Sequence, residues 1–151
     1  MNGFIAKNQD FAIETNLADQ ETWQFLKGIQ GLGYIVQLNF FGVSNEEICI
    51  QRVKNRVIQG GHFVRPDIVK LRYEAGLKLL RQNRHVPDLL ILTDNQHESM
   101  NCAELKFGEI KWKKDVLPDW VQFVLSSEVE EPASPSTIEE VREKYKRIKR
   151  G

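Results

Sequence analysis

Apolar residues along this chain change their spacing several times, and each change marks an element. Phe11 to Thr15 is a short apolar run with a carboxylate, Glu14, near its end, and it reads as a buried strand. Asn16 or Asp19 caps a helix in which Trp23, Leu26 and Ile29 share one face, with Phe25 alongside. Gly31 and Gly33 supply the stop. Tyr34 to Phe41, rich in β-branched and aromatic residues, gives the best strand signal of the chain. Ser44 to Glu47 has the pattern of a capping box, with the serine hydroxyl accepting an amide and Glu47 reaching back. A helix from about Asn45 to Gln59 then lines up Ile50, Val53 and Val57, and Gly60-Gly61 ends it.

Pro66 suits the first position of the next helix, since no amide is wasted there. Val69, Tyr73, Gly76, Leu77 and Leu80 recur at helical spacing to about Arg84, and Val86-Pro87-Asp88 breaks the run. Leu89 to Leu92 reads as a further buried strand, ended by Thr93, Asp94 and Asn95. Helices alternating with apolar strands predict an α/β domain on a mostly parallel sheet. Ala103 to Phe107 and Glu109 to Trp112 alternate around Gly108 and predict an added hairpin, with a short helix over Leu117 to Leu125. The chain is therefore expected to divide into a body over 1–125, a Pro/Ser/Glu-rich linker over 126–136, and a charged helix or tail over 137–151.

Charge sharpens this outline. The net charge is zero, so the whole-molecule field does not favour nucleic acid or a membrane surface as partner. Its distribution is uneven: residues 46–85 carry nine Lys/Arg against four Asp/Glu, and residues 86–131 carry four against ten. A local basic patch on a neutral protein suits a small anionic or nucleotide ligand better than a duplex. Two cysteines, Cys49 and Cys102, lack metal-ligand spacing and read as reduced thiols, which with the missing signal-peptide pattern points to the cytoplasm.

The chemistry-bearing stretch is Arg52 to Arg72: Arg52, Arg56, Arg65 and Arg72 surround Gly60-Gly61-His62. Guanidiniums so placed suit a lid that clamps phosphates. Together with Phe11 to Leu17, Gly33 to Phe41 and Asp94-Asn95, this stretch resembles the zeta toxin family of P-loop kinases, over roughly residues 10–125. The resemblance implies a partial P-loop-kinase-like three-layer fold, an ATP-dependent phosphotransferase and a requirement for ATP and Mg²⁺. It implies that Arg52 and Arg65, thirteen residues apart, face the nucleotide phosphates as catalytic groups and that Glu14 lies on the substrate side. Arg56, His62 and Arg72 fall in the lid.

No G-x-x-x-x-G-K-[ST] loop occurs in the chain, and the family's catalytic base has no counterpart. The expectation is therefore a kinase portion that is inactive by itself, because phosphoryl transfer depends on the phosphate loop and metal. The family's strand leading into that loop would sit between Phe11–Thr15 and Tyr34–Phe41. Its absence predicts unpaired inner edges: either the two strands close directly on each other, or a partner chain or second copy completes the sheet. The alternative is a non-catalytic remnant acting as a binding or interaction module. Plainer readings stand beside these: Arg52 and Arg56 as a solvated face paired with Glu46 or Glu47, His62 capping a turn, Glu14 structural, Asp94-Asn95 only a turn, and Trp112 and Trp120 in packing.

Overall fold

In the computed structural model, which describes residues 2–127, the elements run α1 (Asn2–Ala6), α2 (Gln20–Gly31), β1 (Gln37–Gly42), α3 (Glu46–Ile58), α4 (Pro66–Asn83), β2 (Leu89–Asp94), β3 (Met100–Lys106), β4 (Glu109–Lys113) and α5 (Asp119–Leu125). The expected linker and charged tail lie outside these residues, apart from Ser126 and Ser127.

The strands form one sheet in the order β1-β2-β3-β4. Only β1 and β2 run parallel; β2–β3 and β3–β4 are antiparallel. This corrects the expectation of a mostly parallel sheet: the fold is α/β, but the sheet is mixed and mostly antiparallel. Chain length gives the reason. Residues 43–88 leave room for the crossover α3–α4 between β1 and β2, whereas only residues 95–99 separate β2 from β3. A parallel neighbour needs a crossover of about a dozen residues or more, so a five-residue link returns the chain antiparallel. The hairpin expected as an appendage is half of the sheet.

One face of that sheet carries the core. Leu38, Leu90 and Leu105 lie side by side across β1–β3, as do Phe40, Leu92 and Ala103. They pack with Trp23, Leu26 and Ile29 of α2, Leu79 and Leu80 of α4, and Trp120, Val121 and Val124 of α5. The opposite row, Asn39, Ile91, Glu104 and Trp112, contains no buried residue. The described residues thus form two layers, where three were expected.

The Phe11–Thr15 strand is not formed. Phe11 packs edge-on against Tyr34 at a centroid distance of 5.6 Å, while residues 12–16 are exposed. Thr15 Oγ1 accepts the Leu17 N–H at 3.1 Å, and Asn16 Oδ1 accepts the Ala18 N–H at 3.3 Å. These local side-chain bonds supply an alternative to a ladder. Leu17, at φ 55°, then turns its side chain into the core.

Strand β1 also begins later than expected. The Tyr34 N–H returns to the Ile29 carbonyl at 3.2 Å, and Gly33, at φ 90°, donates to Gln30 at 2.9 Å. This is a Schellman closure of α2, so residues 34–36 are used in leaving the helix. Asp19, one of the two expected caps, accepts the Thr22 N–H at 2.7 Å. The cap of α3 is Asn45 and not Ser44: Asn45 Oδ1 accepts the Ile48 N–H at 3.2 Å, and the Ser44 hydroxyl donates to the Gln96 side chain instead.

Candidate functional site

Between residues 11–17, β1, and the facing sides of α3 and α4 runs a groove of about 770 Å³. All six residues of β1 line it and none of β2 does, so it follows the open edge of the sheet. Val53 of α3 and Val69, Gly76 and Leu77 of α4 supply apolar wall. Gly76 lets the strap formed by residues 11–17 lie close to α4: a Cβ there would stand 3.0 Å from the Asn16 carbonyl.

Three of the six expected site residues meet in this groove. Glu14 lies on the strap, Arg56 on α3 and Arg72 on α4. Glu14 and Arg56 are exposed, while Arg72 is half-buried. Tyr73, beside them, donates to the Val43 carbonyl at 3.0 Å. Burial first, then nearby Cys49 and Glu46, push its hydroxyl up to about 12, so it stays protonated and serves as a donor. Burial likewise pushes the Cys49 thiol up, against the lowering influence of Arg52.

The other three stand outside the groove lining. Arg52 donates to the Asn95 carbonyl and, at 3.2 Å, to that of Gln96, tying α3 to the loop after β2. Arg65 pairs with Asp67 at 3.0 Å within the first turn of α4, both side chains largely exposed. His62 is exposed in the loop between the helices. The two arginines expected to share the nucleotide phosphates therefore serve different local structures.

The glycine pair has a plain structural account. Gly61 donates to the Arg56 carbonyl at 2.7 Å and Gly60, at φ 90°, to that of Val57 at 3.0 Å. That is the paired bonding of a Schellman C-cap. A Cβ on Gly61 would lie 2.9 Å from the Arg56 oxygen, so both glycines are required by the end of α3. Glu46, one of the anticipated partners of Arg52, instead approaches Lys70 of α4 at 3.5 Å.

At the end of β1, Gly42 abuts the indole of Trp120. The Trp120 Nε1–H donates to Asp94 Oδ1 at 3.1 Å, and the Asn95 N–H to the Gly42 carbonyl at 2.8 Å. Asp94 and Asn95 thus close the sheet end, in keeping with the turn reading, and Trp120 is a core residue. Trp112 is not: it is about half-exposed on the uncovered face.

A search of curated proteins finds an uncharacterized protein of Haemophilus influenzae, 39% identical over 69 residues. That stretch is 46% of this chain and 49% of the relative, so the chain spans about half the length of the curated relative it matches. No family model matches the chain, and no solved structure matches it.

The groove itself was not foreseen as a binding surface along the strap and β1. On the sequence pattern, both rims are expected to be strands with unpaired inner edges, Phe11–Thr15 and Tyr34–Phe41. The clue in the sequence is Thr15-Asn16 before Leu17, two residue types that bond their own backbone in turns.

Proposed function

We propose that this chain binds a small phosphorylated ligand or nucleotide at the groove, as part of a zeta-toxin-like phosphotransferase, and transfers no phosphate by itself. The observation that carries this reading is the convergence of Arg56 and Arg72, from two helices, on one cavity with Glu14. Guanidiniums bind phosphate oxygens through charge-assisted bonds, and an apolar wall strengthens them by excluding water. ATP fits the sign of charge at Arg56 and Arg72. Glu14 is the one carboxylate among the lining residues, and a single carboxylate with phosphate oxygens is a usual ligand set for Mg²⁺. Magnesium would supply neutralisation of phosphate charge there.

Arg52 and Arg65 do not carry the reading, since they stand outside the groove lining. The test is calorimetric titration of the full chain with ATP and with pyrophosphate, with and without Mg²⁺. Binding weaker than micromolar is expected, reduced further by Arg56→Ala and by Arg72→Ala. No heat with either compound, or affinity indifferent to both variants, sinks the proposal. A non-catalytic interaction role is favoured by a separate observation, the open edge of β1.

A further inference from the structure

We infer that the groove is a strand-acceptor slot: a single extended segment of a partner polypeptide, apolar at alternate positions, pairs with the free edge of β1. The inference does not depend on the phosphate reading.

Four observations lead to it. Among the described residues, strand β1 ends the sheet order, and its six residues Gln37 to Gly42 pair with β2 on one side only. Alternate N–H and C=O groups of a sheet-edge strand project away from its neighbour, and such an edge templates another strand. The groove runs along this edge, with the strap forming its far rim.

The slot also has the size of one strand. Six residues of strand are about 20 Å long, strands lie about 4.8 Å apart, and stacked layers about 10 Å. Their product, on the order of 950 Å³, is close to the groove's 770 Å³. Gly76 of α4 lies close to the Asn16 carbonyl of the strap. Finally, apolar side chains stand exposed on both rims: Ile13 at 40%, Phe41 at 58% and Ile35 at 84%. Alternate apolar residues of an incoming strand would cover them, in the manner of β-strand addition.

The strap also decides against a second copy as occupant. A folded sheet edge brings its neighbouring strand with it, and β4, the other outer strand, is held by β3 along its length. With residues 11–17 on its far rim, the groove lets an extended segment enter beside β1 without bringing a second strand.

The probe is a displayed library of nine-residue peptides with apolar residues at alternate positions, selected on the full chain. Selected peptides should bind as monomers, and methylating alternate backbone nitrogens should weaken them more than about tenfold, the loss of two or three backbone bonds. Ile35→Lys and Phe41→Lys, both at exposed positions, should weaken binding several-fold with the thermal melt unchanged. Arg52→Ala, outside the groove lining, should leave it unaltered, and the sensitivity to backbone methylation separates this inference from the phosphate reading. Hydrogen exchange should show half of the β1 amides open in the free chain and protected by peptide. The inference is overturned if no peptide is selected or if backbone methylation is harmless. It also falls if β1 is already fully protected in the free chain, by its own tail or by a concentration-dependent dimer.

Discussion

Gly42 lies against the six-membered ring of Trp120 so closely that a methyl group at the glycine would stand 2.6 Å from its carbons. The contact joins the last residue of β1 to the helix that closes the core, and the Trp120 indole in turn donates to Asp94 at the end of β2.

Gly42→Ala should therefore act as an overpacking change, destabilising by about 1–3 kcal/mol. Urea unfolding checks this: the midpoint should fall with the slope unchanged. An unaltered midpoint would mean that Trp120 swings away without loss.

The arginines separate by role. Arg52→Ala should lower stability by about 0.5–1.5 kcal/mol, the usual net value of exposed hydrogen bonds, and leave anion affinity untouched. Arg56→Ala and Arg72→Ala should each weaken a bound phosphate compound by about 1.5–3 kcal/mol, the range for charged hydrogen bonds. Parallel calorimetry and denaturation of the three variants decide the matter. A loss of affinity on removing Arg52 would return it to the binding surface.

Asp88 links three parts of the fold. Its Oδ2 accepts the Gln30 side-chain N–H at 2.9 Å and the Val36 N–H at 2.7 Å. The Gln30 amide, and then the Val36 amide, hold the carboxyl below its ordinary 3.8. A depressed folded value means that the stabilisation is complete above the unfolded value and is lost as pH falls through the folded one. Wild-type stability should drop on acidification below about pH 4, and Asp88→Asn should flatten that part of the profile. Unfolding midpoints across pH 2 to 7 (a range set by the carboxylate values) measure it.

Tyr73 should show the opposite sign. Its folded value is pushed up to about 12, from 10.0, chiefly by burial. The stabilisation is present below the unfolded value and is lost as pH rises toward the folded one. Ultraviolet titration should find a tyrosine ionising above the ordinary 10.0, and Tyr73→Phe should remove that late step. Its loss of the Val43 bond should lower neutral-pH stability by about 1 kcal/mol.

Local signals in the sequence located most elements. The helix from Pro66 was legible because Pro66 fixes its first turn and its apolar residues keep a strict period. The ends of α2 and α3 were legible for a related reason, since glycines at positive φ close helices. Asn45 was missed as a cap because Ser44 and Asn45 are both good caps, and only the contact of Ser44 with Gln96, 52 residues away, assigns one of them. The candidate site was half legible. Arg56 and Arg72 were named from their spacing, but nothing in that spacing says that Arg52 reaches the loop after β2 and Arg65 turns to Asp67.

By itself, the sequence determined where most of the helices and strands form, because periodicity, caps and glycines act within a few residues. The tertiary structure decided the direction of strand pairing, the desertion of residues 11–15 from the sheet, and the groove left beside β1. Those outcomes depend on backbone hydrogen bonds and packing between residues far apart in the chain. Such pairings are chosen by the joint burial of distant apolar faces, and no local pattern encodes them.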